Sequence, residues 1–293
     1  MGLGTADAVP MRGDLGPMLD APMMSKDGSK TDRSTNCAIC DAHVAGFGEA
    51  TVLGDRLVRY FRCENCGFVQ TEEPDWLDRS YSRAITLQDV GLVARNLEFA
   101  ERTEAVVRLC HDANSRFLDF GGGYGLLTRL LRDRGLDFHH YDPHCENLFA
   151  YSAAIHGIDE CRWELVTAFE LLEHLVDPLP QIRQIMSCTD TLLCSTVLLP
   201  DPTPTPGTWH YYGLEHGQHV SLFSRGALEE LARACDVRLL TNGRNLHVLT
   251  RAKVRPWLHA LALGRWGRRL RRHFPRRPSL VEIDARSLQD ASR

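Results

Sequence analysis

The order of apolar and polar positions along the chain predicts alternating strands and helices from residue 116 to residue 250. Short apolar runs predict strands at 116–120, 137–141, 163–169 and 191–199. Stretches with helical spacing predict helices between them at 126–134, 145–155 and 171–186, the last after a short proline-bearing interruption. This alternation is typical of an α/β fold, in which a mostly parallel sheet lies between layers of helices.

The last part of this region predicts an antiparallel hairpin at the edge of the sheet. The apolar runs 237–241 and 245–250 flank the dipeptide Asn242-Gly243. Asn-Gly between apolar runs is the strongest short signal of a hairpin. We therefore expect one antiparallel addition to an otherwise parallel sheet.

Two further helices are predicted outside the alternating segments. Ser224 is suited to the N-cap of a helix that runs through Ala234. Upstream of the first strand, apolar side chains recur at roughly helical spacing between residues 85 and 109.

Composition limits the class of protein. The chain has 293 residues, of which 43% are hydrophobic and 25% charged, as in ordinary globular proteins. No apolar stretch approaches the roughly 20 residues that span a bilayer. The first residues lack a basic segment followed by an apolar run, and Ala6 stands where the myristoylation pattern needs Ser or Thr. We expect a cytoplasmic protein, and the ten cysteines then belong to a reducing compartment, as metal ligands or buried thiols.

Charge is distributed unevenly. Residues 251–277 carry ten basic side chains and no acidic one, which leaves a net charge of −14 on the other 266 residues. Tryptophan, leucine and phenylalanine alternate with these arginines, a composition typical of a basic amphipathic helix at an anionic membrane surface. The same segment would suit RNA phosphates, or it is a helix packed on the protein or an ordinary tail. Peripheral contact with the inner membrane face is the most that this pattern indicates.

These observations divide the chain into five parts. The predicted boundaries are a disordered leader at 1–35, a four-cysteine module at 36–75, a helical connector at 76–112, the α/β core at 113–250 and a basic C-terminal extension at 251–293.

Four cysteines form two pairs with the spacing of a metal site. Cys37 and Cys40 make the first pair, and Cys63 and Cys66 make the second, 22 residues further on. Four thiolates suit tetrahedral zinc and leave no open position for water, so the predicted Zn²⁺ is structural. The alternative is two isolated pairs of buried or redox thiols.

A glycine-rich loop and a later acid indicate a nucleoside site. The loop lies between a predicted strand and a predicted helix, and its residues are Asp119, Gly121, Gly122, Gly123 and Gly125. The dinucleotide fingerprint needs Gly or Ala at position 126, where this chain has Leu126, so NAD is disfavoured. Asp142 ends the second strand, where a carboxylate can accept hydrogen bonds from ribose hydroxyls.

The loop, the later acid and the downstream segment 163–178 together resemble the class I S-adenosylmethionine-dependent methyltransferases. Glu164 departs mildly from that family's pattern, which has Asp. The resemblance runs from Cys37 to Thr250, and its cysteine-headed form is similar to bacterial methyltransferases that act on sugars and other small metabolites. It implies a Rossmann-like methyltransferase sheet with S-adenosylmethionine as the cofactor.

The resemblance also implies roles for individual residues. The loop glycines would lie beside the methionine part of the cofactor, and Asp142 would hold the ribose. Asp119 would support the loop or meet the cofactor's amino group. Glu170 and His174 are also expected beside the cofactor. His174 is in addition a candidate for the general base, but a weaker one than the histidines discussed next.

A general base is sought among the histidines, because histidine titrates near the working pH. The segment 209–224 contains three of them and resembles the acceptor-lining stretch of sugar methyltransferases. We expect His219 or His216 to be the base, Glu215 to orient one of them and Tyr212 to contact the substrate. The alternative is that these are polar lid residues that cap the next elements.

The expected function is methyl transfer to a hydroxyl or activated carbon of a small acceptor, with a sugar, nucleotide-linked or in an envelope glycan, as the first choice. An RNA methyltransferase is the alternative of the same class, although the acidic body does not favour nucleic acid. A non-catalytic zinc-bearing adaptor on the same fold is the alternative from another class.

Overall fold

The computed structural model describes residues 32–81, 89–253 and 255–291, in which ten strands and eight α-helices are found. Residues 1–31 of the predicted leader lie outside these residues, and residues 32–35, for which disorder is also predicted, are ordered, with Arg33 buried. The strands are β1 (Val44–Val52), β2 (Arg56–Cys63), β3 (Val69–Thr71), β4 (Arg116–Phe120), β5 (Asp137–Tyr141), β6 (Leu165–Ala168), β7 (Thr191–Ser195), β8 (Ser221–Leu222), β9 (Arg238–Thr241) and β10 (Leu246–Thr250). The helices are α1 (Leu77–Ser80), α2 (Leu92–Cys110), α3 (Leu126–Arg132), α4 (Pro178–Cys188), α5 (Arg225–Ala234), α6 (Pro256–Leu263), α7 (Arg265–Leu270) and α8 (Val281–Ala291).

Six strands form the central sheet, in the order β5-β4-β6-β7-β10-β9. The first four are parallel, and β10 pairs antiparallel with both β7 and β9. Every residue of β6, β7 and β10 is buried, as expected for strands that are covered on both faces. The predicted α/β fold class and its antiparallel C-terminal hairpin are confirmed.

Helices cover both faces of this sheet. Leu127 and Leu131 of α3 pack with Phe117 and Phe138 on one face, and α2 and α6 join them there. On the other face, α4 and α5 pack over β6 and β7. Burying each such large side chain contributes about 1.5–3 kcal/mol, so these two layers hold the sheet rigid beneath its carboxyl ends.

The second sheet joins the cysteine module to the core. Its order is β1-β2-β3-β8, all antiparallel. The strand β8 comes from the segment between β7 and α5, and its Leu222 and Ser221 pair with Val69 and Gln70 of β3. The segment that carries the expected base is therefore held by the module.

Local signals at the hairpin and at α5 have the predicted effect. The side chain of Asn242 accepts hydrogen bonds from three successive amides, of residues 244–246, and so closes a four-residue turn between β9 and β10. The hydroxyl of Ser224 accepts from the amide of Ala227, which makes it the N-cap of α5.

The prediction of a helix at 145–155 is wrong. Only a 3-10 turn, Tyr151–Ala153, forms there. The side chain of Asn147 bonds to both the amide and the carbonyl of Ala150, and such side-chain bonds compete with a helix. The amides of Leu148 and Phe149 both donate to the carbonyl of Tyr124, so this segment folds against the glycine loop.

Three other elements begin or end more than two residues away from the prediction. The helix expected at 171–186 is a 3-10 turn, Leu172–His174, followed by α4, which begins at Pro178 because proline suits the first helical position. The strand expected at 191–199 ends at Ser195. The helix expected from residue 85 begins at Leu92, and residues 82–88 lie outside the described part of the chain.

The C-terminal extension packs on the core. The guanidinium of Arg132 in α3 holds the carboxylate of Asp284 in α8 with three hydrogen bonds of 2.6–3.2 Å. Arg102 of α2 donates to the carbonyl of Leu263 at 2.9 Å. Trp257 and Trp266 nevertheless stay exposed, so the expected contact with an anionic surface remains a prediction. Among the described residues, no helix is both long enough and apolar enough to cross a membrane.

Candidate functional site

The glycine loop follows β4 where the strand order reverses, with β5 on one side and β6 on the other. Ligands of such sheets bind beyond the carboxyl ends of the strands at this point. A Cβ on Gly122 would lie 2.5 Å from Oδ2 of Asp119, so a side chain would collide there. Gly123 has a φ of +57°, which side chains rarely tolerate. The loop therefore brings bare backbone to the crevice.

Asp142 lies at the same crevice. Its Oδ2 accepts from the amide of Gly123 at 2.8 Å, and its Oδ1 accepts from the amide of His144 at 2.8 Å. A carboxylate offers about four acceptor positions, so two stay available for hydroxyl groups of a ligand. The ribose role of Asp142 remains a prediction, but the geometry places this acid beside the loop that it was expected to accompany.

Asp119 lies beneath the loop and not in the crevice. The hydroxyl of Thr128 donates to its Oδ2 at 3.0 Å, and the hydroxyl of Thr167 donates to its Oδ1 at 2.8 Å. Burial raises the pKa of Asp119 to about 7, and the two hydroxyls oppose that rise. Of the two expected roles, support of the loop is the one that this geometry favours.

Glu170 begins a second group of polar residues, beyond the end of β6. Its backbone has a φ of +51°, a strained conformation that is typical of functional sites. Ser195 donates to its Oε1 at 2.7 Å, and Nε of Arg95 lies 3.6 Å from its Oε2. Burial, and then the charge of Glu173, raise the pKa of Glu170 to about 7.

Glu173 is completely buried next to this group. The hydroxyl of Tyr211 donates to its Oε1 at 2.6 Å, and that hydroxyl in turn accepts from the amide of Val197 at 3.0 Å. Within the described residues, no group stands in hydrogen-bonding geometry with Oε2. Burial raises the pKa of Glu173, and the hydrogen bond from Tyr211 opposes the rise.

His219 is held in one tautomer. Its Nδ1 lies 2.6 Å from the backbone carbonyl of Tyr211. A carbonyl oxygen only accepts, so Nδ1 carries the proton and Nε2 keeps a free lone pair. Burial lowers the pKa of His219, which keeps the ring neutral at pH 7. This is the protonation state that a general base needs.

His216 has the opposite tautomer. Its Nδ1 accepts from the amide of Gln218 at 3.1 Å, so the neutral ring carries its proton on Nε2. Burial, and then the charge of His219, lower the pKa of His216 to about 4. Of the two expected bases, the geometry favours His219, and His216 is a hydrogen-bond donor.

His174 lies in the same cluster. Its ring is 5.0 Å from that of His219, and its Nδ1 is 3.0 Å from the hydroxyl of Tyr81. Burial, and then the charges of His219 and His216, hold its pKa well below the ordinary value. These contacts place His174 with the base candidates, whereas we expected it on the cofactor side.

Two expected residues are not brought into the cluster. Tyr212 is buried against Tyr60 and donates to the carbonyl of Pro204 at 2.7 Å, so its hydroxyl is already engaged in the core. Glu215 is exposed, and its charge only partly opposes the lowering of the pKa of His216 by burial and by His219. The neighbour of Tyr212, Tyr211, is the residue that sequence reasoning missed. Sequence alone carries no signal for choosing between two adjacent tyrosines.

The four predicted zinc ligands lie together. Their sulfur atoms are all within 4.8 Å of one another. The distance is 3.7 Å between Cys37 and Cys66 and 3.5 Å between Cys40 and Cys63, and all four are free thiols. Zn–S bonds of about 2.3 Å at tetrahedral angles separate sulfurs by roughly 3.8 Å, so this set fits a zinc ion. The hydrogen bond between Cys37 and Cys66 lowers the pKa of Cys37 and raises that of Cys66, so the two thiols share a proton when no metal is bound.

The fold and this site define a Rossmann-like α/β protein with a glycine-loop crevice and a histidine cluster beside it. The chain belongs to the methyltransferase domain family, whose sequence model matches residues 92–242, just over half of the chain. The resemblance to methyltransferases is thereby confirmed. No curated protein sequence matches the chain significantly.

The chain is also similar over part of its length to solved structures of methyltransferases of distant sequence. One is an O-methyltransferase family 2 protein from Planctomyces limnophilus in complex with apigenin, at 13% identity and a TM-score of 0.42, with 61% of this chain and 62% of that chain covered. Another is mitomycin 7-O-methyltransferase, at 16% identity and a TM-score of 0.39, with 60% of each chain covered. A third is magnesium protoporphyrin IX methyltransferase from Synechocystis with bound S-adenosylmethionine, at 13% identity and a TM-score of 0.36, with 60% of this chain and 92% of that chain covered. The match thus spans about three fifths of the first two relatives.

Proposed function

We propose that this protein transfers a methyl group from S-adenosylmethionine to a hydroxyl group, or to an activated carbon, of a small acceptor, with His219 as the general base. The observation that carries the proposal is the fixed tautomer of His219. Its Nδ1–H bond to the carbonyl of Tyr211 leaves Nε2 unprotonated, and the lowered pKa keeps it so at pH 7.

The cofactor would bind at the glycine loop. The loop offers bare backbone beside the carboxylate of Asp142, and the strand order reverses at this point. When bound, S-adenosylmethionine supplies an electrophilic methyl group on a sulfonium. The residues of this chain that would hold it are Gly121, Gly122, Gly123, Gly125 and Asp142, with Asp119 supporting the loop from below.

The chain's task in the reaction is to align the acceptor and to take its proton. A bound cofactor would supply the methyl group for an in-line displacement, and Nε2 of His219 would take the proton that the acceptor oxygen gives up. The carbonyl of Tyr211 then stabilises the imidazolium through Nδ1–H. Glu173 in turn fixes Tyr211 through the phenol hydroxyl.

The acceptor that this site would suit is a small polyhydroxyl compound, such as a sugar. Tyr81, Arg95, Glu170 and His174 bring hydroxyl, guanidinium, carboxyl and imidazole groups close to His219, and such groups orient hydroxyls. RNA is the weaker alternative, because the residues outside 251–277 carry a net charge of −14.

The Zn²⁺ site at the four cysteines would be structural. Four thiolates complete a tetrahedral shell, so no position is left for a substrate. The module would contribute to catalysis only through the segments that it holds in place.

The direct test compares His219→Asn with His210→Asn, a matched change of an exposed histidine in the same segment. Loss of the base should lower kcat by about 10²–10⁴-fold, with the affinity for S-adenosylmethionine unchanged in calorimetry. His210→Asn should keep both values. Full turnover of His219→Asn on an accepted sugar would refute the base, and failure of the unaltered protein to bind the cofactor would favour a non-catalytic adaptor.

A further inference from the structure

The proposed base and two side chains beside it have the composition of a metal site. Glu173, His174 and His219 each offer one ligand atom, and these atoms all lie within 4.8 Å of one another. Two imidazoles and one carboxylate are a ligand set that divalent transition metals use, with positions left open for other ligands. The set is separate from the four cysteines and contains no thiolate.

The surroundings of both histidines match those of metal ligands. Histidines that bind metals usually engage their second ring nitrogen with a carbonyl, a carboxylate or another polar group, which fixes the ring orientation. Nδ1 of His219 is bonded to the carbonyl of Tyr211, and Nδ1 of His174 is bonded to the hydroxyl of Tyr81. In His219, Nε2 is therefore the nitrogen left for a ligand bond.

Glu173 supplies an independent observation. It is completely buried, and Oε1 is engaged by Tyr211. Oε2 has no partner in hydrogen-bonding geometry within the described part of the chain. An unpaired carboxylate oxygen in the interior is costly, and a cation bound there would satisfy it.

We propose that Glu173, His174 and His219 bind a divalent transition metal ion such as Zn²⁺ or Co²⁺. The ion and the proton of the acceptor would compete for the same lone pair, on Nε2 of His219. Occupation of the site therefore inhibits methyl transfer, a consequence that rests on the proposed function. The ion is a regulator of the base and has no role in the transfer itself.

Binding is tested with Co²⁺ on the full chain in which the cysteines hold zinc. We expect one Co²⁺ per chain with visible absorption but without the intense near-ultraviolet band of cobalt–thiolate bonds. Glu173→Gln should raise the dissociation constant for Co²⁺ at least tenfold, and the matched control His210→Asn should leave it unchanged. Absence of thiolate-free Co²⁺ binding, or equal affinity in Glu173→Gln, overturns the proposal.

A second variant keeps the test informative if Glu173→Gln does not fold. His174→Asn should lose Co²⁺ to a similar extent, and each variant is to keep the circular dichroism spectrum and the cofactor affinity of the unaltered chain. If both variants fold and bind Co²⁺ normally, the three residues do not form the site.

Activity separates this inference from the proposed function. Added Co²⁺ should inhibit transfer, and removal of loosely bound metal with a chelator should restore it. Chelator-treated protein that is active through His219 but binds no Co²⁺ would refute the metal site alone. Binding of Co²⁺ by a protein that never methylates would refute the proposed function alone. Stimulation by Co²⁺ would overturn the inhibitory role.

Discussion

The chemistry of individual residues in this site depends on which ring nitrogen or oxygen is already engaged. His216 and His219 are three positions apart, yet a backbone amide donates to one ring and a backbone carbonyl accepts from the other. Tyr211 and Tyr212 are adjacent, yet one hydroxyl meets Glu173 and the other meets a carbonyl in the core. Residues of the same type and close in sequence therefore have different hydrogen-bond partners, and only one residue of each pair has the contacts that the proposed function needs.

The pH dependence of turnover should report the lowered pKa of His219. Since burial holds that pKa below the ordinary value of about 6.5, the base stays unprotonated at lower pH than a free histidine. We expect kcat to be constant near pH 7 and to fall only below about pH 6.5. The measurement is a pH–rate profile at saturating cofactor.

Glu170 provides the control for that profile, because its pKa is raised to about 7. If His219 is the titrating group, Glu170→Gln should keep the acidic limb and move it only to lower pH, because the charge of Glu170 raises the pKa of His219. A limb near pH 7 that disappears in this variant would assign the titration to Glu170 and not to a histidine.

Asp119 should influence how stability depends on pH. Its folded pKa of about 7 lies above the unfolded value near 3.9, so the native state binds more protons between these values. Its stabilising contribution is therefore complete below about pH 4 and is lost as the pH rises towards 7. Relative to the unaltered protein, Asp119→Asn should gain stability from pH 4 to pH 8, by at most roughly 4 kcal/mol.

Denaturant unfolding at several pH values measures this difference. Asp137→Asn is the opposite control, because hydrogen bonding with His139 lowers the pKa of Asp137 to about 2. Its contribution is lost as the pH falls, so the sign of its pH dependence should be reversed. A stability difference for Asp119→Asn that is independent of pH would contradict the raised pKa.

At the scale of elements, the cysteine module and the core share one structural unit around the base. The strand β8 completes the module's sheet, and the indole of Trp76 donates to the carbonyl of Gly217 at 2.8 Å. The buried guanidinium of Arg33 donates to the carbonyls of Thr71, Val176 and Val220. Val220 directly follows His219, so we expect Arg33 to position the proposed base.

Arg33→Met should lower kcat more than it weakens cofactor binding. The change removes the guanidinium from three buried carbonyls, of which that of Val220 still accepts from the amide of Thr71, and we expect it to cost about 2–5 kcal/mol of stability. Hydrogen exchange should become faster in residues 217–222, next to the base. The control is Arg59→Met, which removes an exposed arginine paired with Glu72 in the same sheet. Equal effects of the two changes on kcat would contradict a positioning role.

At the scale of the whole molecule, acidic and basic regions are joined by specific contacts. The basic extension is tied to the core through the α3–α8 ion pairs, while Trp266 lies exposed with Arg269 over its ring at 5.0 Å. The predicted domain boundaries and the surface that this extension would meet remain predictions.

Zinc should connect the stability of the whole molecule with catalysis. Metal analysis should find about one tightly held zinc per chain, and Cys63→Ser should lose it. Because β8 belongs to the module's sheet, the loss should also speed hydrogen exchange in residues 217–222 and lower kcat. Cys161→Ser, a cysteine outside the module, should change none of these values. Retention of zinc by Cys63→Ser would contradict the site.

Local interactions made the main elements and motifs predictable from the sequence. Apolar periodicity, the Ser224 cap and the Asn242 turn act within a few residues, so the parallel core and the hairpin could be predicted. The glycine loop and the two cysteine pairs are likewise short motifs. The helix predicted at 145–155 does not form, because the conformation of this segment depends on hydrogen bonds of the Asn147 side chain and on a carbonyl of the glycine loop. Apolar periodicity does not reveal such bonds.

Long-range packing decided the rest of the site. Tyr81 reaches His174 across 93 positions of the chain, and Arg33 reaches Val220 across 187. Contacts between distant segments also determine which tyrosine turns towards Glu173 and which sheet β8 joins, whereas the tautomer of His219 is set by a carbonyl eight positions away. Residue spacing carries no information about such contacts, because the direction of a buried side chain is set by neighbours that only the folded chain assembles.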